Sequence, residues 1–142
     1  MPLQNDLDSV YLGVAQLHAN LSKAIRRKVG ACIVTKHGVI VPGYNGTVAG
    51  SDVKGEEHID GVLTTTSSMI HAEINVLIKC SKEGISSEGS TLYLTLSPCE
   101  RCAAMIAGAG IKKVVYKEKY RDTSGITALY RYNIPIEEFK ES

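Results

Sequence analysis

Two short stretches constrain this chain more than anything else in it: His71-Ala72-Glu73 and Pro98-Cys99-Glu100-Arg101-Cys102. One imidazole and two thiols are donors that zinc accepts. Zinc favours a tetrahedron, and catalytic sites leave the fourth position to water. Any fold that satisfies this set must bring two distant segments to one point. Glu73 is not needed as a ligand, and a carboxylate beside metal-activated water is suited to shuttling protons. Residues two apart in mid-helix point to roughly opposite sides, so His71 and Glu73 can face one metal only around a helix start.

Blander readings of the same residues exist. A single Cys-x-x-Cys also occurs in redox pairs and structural zinc sites. A structural zinc would need a fourth protein ligand. On a helix over 71–82, Cys80 lies roughly 13 Å along the axis from His71, too far to share a metal. Cys32 is not removed by that argument, but its apolar neighbours read as the surroundings of a buried thiol.

The length of 142 residues suits one domain spanning 1–142 with a single core. A hydrophobic share of 44% with 22% charged residues is that of a globular protein. The formal net charge of +1 lacks the basic excess of a polynucleotide binder, although a small phosphate pocket needs only two or three cations. The start, Met1-Pro2-Leu3-Gln4-Asn5-Asp6, has neither the basic nor the apolar run of a signal peptide, and no stretch reads as a membrane span. Four cysteines, two of them metal-ligand candidates, suit the reducing cytoplasm better than a disulfide framework.

Apolar spacing predicts a helix over 6–24, capped by Asn5 or Asp6, whose buried face carries Leu7, Val10, Tyr11, Val14, Leu17, His18 and Leu21. The basic run from Ser22 to Lys28 reads as a solvated helix end or a phosphate receiver. Val29–Thr35 and Val39–Tyr44 read as a strand hairpin. In Gly43-Tyr44-Asn45-Gly46, Asn-Gly suggests a turn with positive φ; functionally, it would hold Asn45 at a strand end facing the metal. Residues 47–69 read as a long loop. A helix over 71–82 would turn Ile74, Leu77 and Ile78 to the core. Then come a strand over 91–96, a helix from Cys99 to about Ala109 with Gly110 as its stop, a strand over 111–117, a helix over 123–132 and a short edge strand over 134–136. A helix start at Cys99 favours thiolates. This order implies an α/β fold: a three-layer α-β-α sandwich around a central mixed five-stranded sheet.

The pattern His-x-Glu followed by Pro-Cys-x-x-Cys is the signature of zinc deaminases acting on nucleobases. With Val29-Gly30-Ala31-Cys32-Ile33-Val34, Gly43-Tyr44-Asn45-Gly46, His71-Ala72-Glu73-Ile74-Asn75 and Ala109-Gly110-Ile111-Lys112, the stretch from Ser22 to Asp122 resembles the deoxycytidylate (dCMP) deaminases of the cytidine deaminase superfamily. Gly-Tyr-Asn-Gly is what narrows the resemblance to the dCMP branch. The resemblance implies a cytidine deaminase-like fold, one Zn²⁺ per chain on His71, Cys99 and Cys102, and Glu73 as the proton shuttle. It implies attack of hydroxide on C4 of cytosine and departure of ammonia, leaving dUMP. Asn45 would meet the nucleotide sugar, with Arg26, Ser97, Tyr120 and Arg121 as further substrate contacts. It also implies a homo-hexamer, activated by dCTP with Mg²⁺ and inhibited by dTTP, with effectors near Gly43, Tyr44, Asn45, Gly46, Arg26 and Lys28. Two positions depart from the family pattern. Val48 replaces a proline, which loosens the effector loop, and Ala24 replaces a cysteine that some relatives use for a second zinc.

Other functions on the same motif make different demands. A nucleoside cytidine deaminase needs no phosphate cations, and a tRNA adenosine deaminase wants a broad basic surface. A catalytically silent nucleotide-binding protein has no use for Glu73.

Overall fold

The computed structural model describes residues 3–141. Met1 and Pro2, the first residues of the start that reads as free of a signal peptide, lie outside the described residues, as does Ser142. In chain order the elements are α1 (Gln4–Ala19), β1 (Gly30–Val34), β2 (Ile40–Tyr44), β3 (Glu56–Ile59), β4 (Val62–Thr65), α2 (Ala72–Glu83), β5 (Thr91–Leu96), α3 (Glu100–Gly108), β6 (Lys113–Glu118), α4 (Ser124–Arg131) and β7 (Ile136–Glu138).

Five strands form one mixed sheet in the order β2-β1-β5-β6-β7. The tight β1–β2 hairpin is antiparallel, with Cys32 opposite Pro42, and β1 also runs antiparallel to β5. The crossover through α3 makes β5 and β6 parallel, as crossover connections do, and β7 adds in parallel beside β6. Alternation along the strands divides the interior. Cys32, Tyr93 and Val115 point to one face, where Leu12 and Ala15 of α1 cover them. Ala31, Ile33, Leu92, Leu94, Val114 and Tyr116 point to the other and pack with α2 and α3, and α4 lies against α3. This is the three-layer sandwich expected from the sequence.

Four local expectations need correction. The buried face of α1 is Asp8, Leu12, Ala15 and Ala19, while Val10 and Leu17 are 61% and 69% exposed. Small alanines let the helix lie close on the sheet. Asp8 tolerates burial because the Tyr93 hydroxyl and the Gln4 amide both donate to its Oδ1 at 2.8 Å. The helix also starts without a side-chain cap at Leu3 and ends at Ala19, so the basic run leaves it entirely. Ser22 redirects the chain there, its hydroxyl donating to the Asn45 carbonyl and accepting from the Ala24 N–H.

On α2 the most buried residues are Ala72, Val76 and Cys80; Ile74 and Leu77 pack against the same core partly buried, as expected, while Ile78 is exposed. Finally, the supposed loop over 47–69 holds a hairpin, β3–β4. Its two-residue turn has Asp60 and Gly61 at φ 51° and 79°, the mirror-image turn that matches strand twist.

Candidate active site

His71 is the residue just before α2, in extended conformation, and Glu73 stands in the first turn. Cys99 occupies the equivalent place before α3, and its sulfur accepts from the Cys102 N–H at 3.5 Å. The two helix starts therefore meet. Among the described residues, His71, Cys99 and Cys102 form the single His/Cys/acid group placed to hold a metal, with donor atoms within 4.8 Å of one another. Nδ1 of His71 lies 3.2 Å from Cys102 Sγ and 3.6 Å from Cys99 Sγ. Tetrahedral zinc with Zn–N of about 2.0 Å and Zn–S of about 2.3 Å would separate these atoms by about 3.5 Å, so the donor set fits zinc. Cys80 is buried in the core and Cys32 lies under α1 with its thiol pushed up to about 12 by burial; neither joins the group.

The Cys102 thiol donates to Cys99, holding Cys99 down at about 4 and keeping Cys102 above the usual thiol range. A separate contact, from Cys99 to Nδ1 of His71, holds the imidazole above its usual range. Glu73 is buried, and burial pushes its carboxyl up to about 7. A carboxyl poised near neutrality can both take and give a proton.

These groups open into a cavity of about 530 Å³ whose lining includes His71, Glu73, Cys99, Asn45, Ser97, Arg26, Tyr120 and Arg121. The cavity thus brings His71, Cys99 and Glu73 together with all five residues expected to meet substrate, while Cys102 is buried behind its lining. Ser97 is buried at the strand end, its Oγ accepting from the Tyr120 N–H at 2.7 Å, which fixes the start of the loop carrying Arg121. The Asn45 side chain also ties down the neighbouring backbone. Its Oδ1 accepts from the Val29 N–H and its Nδ2 donates to the Arg27 carbonyl, both at 2.9 Å.

Neither Asn45 nor Gly46 takes positive φ, so the expected turn is absent. The chain bends at Asn45 without that turn, and Gly46 exchanges two backbone hydrogen bonds with Ile70. Gly43, Tyr44, Gly46 and Lys28 do not line the cavity.

Beyond the basic run that already offered Arg27, sequence reasoning did not single out several wall residues. Arg27, Lys119 and Glu118 line the cavity, and Arg27 is ion-paired with Glu118. Glu56 and Thr65 arrive on the β3–β4 hairpin. The signal for that hairpin was present in Asp60-Gly61, followed by the β-branched-rich run Val62-Leu63-Thr64-Thr65.

The model of the cytidine and deoxycytidylate deaminase zinc-binding region matches residues 5–118. The ComE operon protein 2 of Bacillus subtilis is 37% identical over 111 residues, covering 78% of this chain and 59% of that protein. The chain thus spans about three-fifths of that relative's length. Human deoxycytidylate deaminase is 37% identical over 127 residues, covering 83% of this chain and 68% of its own. Among solved structures, the dCMP deaminase of cyanophage S-TIM5 in complex with dCMP and dUMP superposes with a TM-score of 0.87 at 38% identity, covering 96% of this chain and 99% of that one.

Proposed function

The chain belongs to the cytidine and deoxycytidylate deaminase family, and from that premise we propose that it hydrolyses dCMP to dUMP and ammonia. The observation that carries this is the buried Glu73 beside a three-donor metal group, on a cavity that also holds Arg26, Arg27, Lys119 and Arg121. His71 Nδ1 and the sulfurs of Cys99 and Cys102 would hold zinc, which when bound supplies the acidity that brings a water's pKa to about 7. Glu73 accepts the water proton as oxygen attacks C4 of the cytosine ring. It passes that proton to ring N3, then takes the proton left on the C4 hydroxyl and delivers it to the amine. The C4–N bond breaks, ammonia leaves, and the oxygen stays on C4 as the carbonyl of dUMP.

The remaining assignments belong to the same proposal. Asn45 meets the sugar, while Arg26, Ser97, Tyr120 and Arg121 bind the rest of the nucleotide. The whole chain from 1 to 142 acts as one deaminase domain. It assembles as a homo-hexamer, with dCTP and Mg²⁺ activating and dTTP inhibiting at a site formed by Gly43, Tyr44, Asn45, Gly46, Arg26 and Lys28. A cytoplasmic setting goes with this reading: all four cysteines are free thiols, and no helix of the described residues is long and apolar enough to cross a membrane.

The test is the fall in ultraviolet absorbance when zinc-loaded protein meets dCMP, deoxycytidine and cytidine in turn. Loss with dCMP well ahead of the nucleosides is expected. Equal or greater rates on the nucleosides would move the assignment to a nucleoside deaminase, and no loss with any of the three would overturn the deaminase reading.

A further inference from the structure

We propose that Glu56 is a positioning residue for recognition of the substrate's 5′-phosphate, acting through the backbone that carries Arg26. This rests on the dCMP reading above.

The cations Arg26 and Arg27 lie on a segment between α1 and β1 that belongs to no helix or strand. Free chain of this kind would have to be ordered anew each time an anion bound, at an entropic cost that weakens binding. Here the segment is gripped from two sides. From the sheet, the Asn45 amide binds the Arg27 carbonyl and the Val29 N–H. From the hairpin, the Glu56 carboxylate accepts two consecutive backbone amides, Ile25 N–H on Oε1 and Arg26 N–H on Oε2, each at 2.8 Å.

The hairpin register extends this grip. Thr65 stands directly opposite Glu56 on β4. Its Oγ1 accepts from Nη1 of Arg26 at 2.9 Å, so one cross-strand pair holds both the backbone and the guanidinium of the same arginine.

A bare carboxylate in an anion-binding cavity would repel phosphate. Glu56 has both oxygens engaged by amide donors, and these hold its carboxyl below the usual range. It is thereby suited to aiming the cation rather than meeting the ligand. The arginine reaches the cavity pre-oriented, and the β3–β4 hairpin becomes part of phosphate specificity.

The experiment compares zinc-loaded wild type with Glu56→Ala, Glu56→Gln and, as a control on the same strand, Glu57→Ala. Steady-state kinetics on dCMP are measured together with zinc content and Tm. Glu56→Ala is expected to raise KM for dCMP about tenfold while kcat at saturation stays within about twofold and zinc is retained. Glu56→Gln puts an amide N–H₂ against one of the two donors, so a rise of several-fold is expected there too. Glu57→Ala should match wild type. Should Glu56→Ala fail to fold, Glu56→Gln carries the test alone. A KM unchanged in the folded Glu56 variants, or kcat lost in step with Tm and zinc, overturns the positioning role. Wild-type protein that does not turn over dCMP overturns the deaminase reading and this role with it; normal wild-type turnover with an unmoved KM overturns this role alone.

Discussion

Replacing the Glu73 carboxylate by an amide removes the proton shuttle while leaving each metal donor in place. Glu73→Gln is therefore expected to keep zinc and fold but lose turnover by about 10²-fold or more, within the range general acid–base groups contribute. Activity within tenfold of wild type would sink the role. Cys102→Ala strikes the other half of the site. Cys102 is buried, and its N–H also supports the Cys99 sulfur, but its own sulfur is one of only three donors. Metal analysis should find one zinc per wild-type chain and none, with no activity, in this variant. Arg121 is a residue-scale question of a different kind, since it lines the cavity without joining the metal group. A charge-assisted bond to phosphate contributes ~1.5–3 kcal/mol. Arg121→Ala should thus weaken kcat/KM on dCMP by about 10- to 100-fold and leave deoxycytidine nearly untouched. Equal losses on both substrates would assign it to structure.

At the scale of elements, the cysteine-bearing turn depends on a helix that contributes no metal donor. Gly125, in the first turn of α4, lies so close behind Pro98 that an added Cβ would sit 1.9 Å from its carbonyl oxygen. Since that contact is with backbone, Gly125→Ala must push α4 or the Pro98-Cys99 turn aside. Overpacking of this sort costs about 1–3 kcal/mol. The expected result is a lower Tm and a weaker hold on zinc in chelator competition; wild-type values for both would show that the turn yields freely. The sequence motif named Cys99 plainly but gave no hint of this support, because nothing local marks which element will lie behind a turn. The same limit explains the other misses. The strand–helix order and the metal group were legible since both depend on periodicity and short spacing. The buried face of α1 was not, because apolarity alone favoured Val10 and Leu17 over Ala15 and Asp8, whose burial depends on a hydroxyl from β5. Nor was the fate of the basic run, which is settled by Glu56 some thirty positions further along the chain.

Regulation is a property of the whole molecule, and the fold offers a physical route for it. The segment Gly43-Tyr44-Asn45-Gly46 meets α2 at two points and the chain leading into it at a third. Gly43 leaves room for Val76 of α2, since a Cβ there would lie 2.7 Å from the valine side chain. Asn75 of α2 donates to the Tyr44 carbonyl at 2.9 Å. Gly46 and Ile70 exchange backbone bonds of 2.8 and 3.0 Å immediately before His71. An effector that shifts this segment by a few tenths of an ångström acts directly on the backbone that sets His71 and Glu73. Such a ligand alters affinity only if it binds one arrangement better than the other, and couplings of about 1–3 kcal/mol are typical. On that basis dTTP should raise the dCMP concentration needed for half-saturation by about 5- to 150-fold, and dCTP with Mg²⁺ should reverse it. Linkage adds a stricter demand: bound substrate analogue must weaken dTTP by the same factor that dTTP weakens the analogue. Val48 is exposed at the position where the resemblance leads one to expect a proline, and a valine there leaves the loop after Gly46 less restricted in the unfolded chain than a proline would. Val48→Pro should then steepen the response to dTTP without altering kcat. Saturation curves for dCMP, taken with each triphosphate for wild type and Val48→Pro, decide the matter. If dTTP merely competes with dCMP, with no sigmoidal curve and no reversal by dCTP, the regulatory site is not there, and the links from Gly43 and Gly46 to α2 serve only to hold the metal group in place.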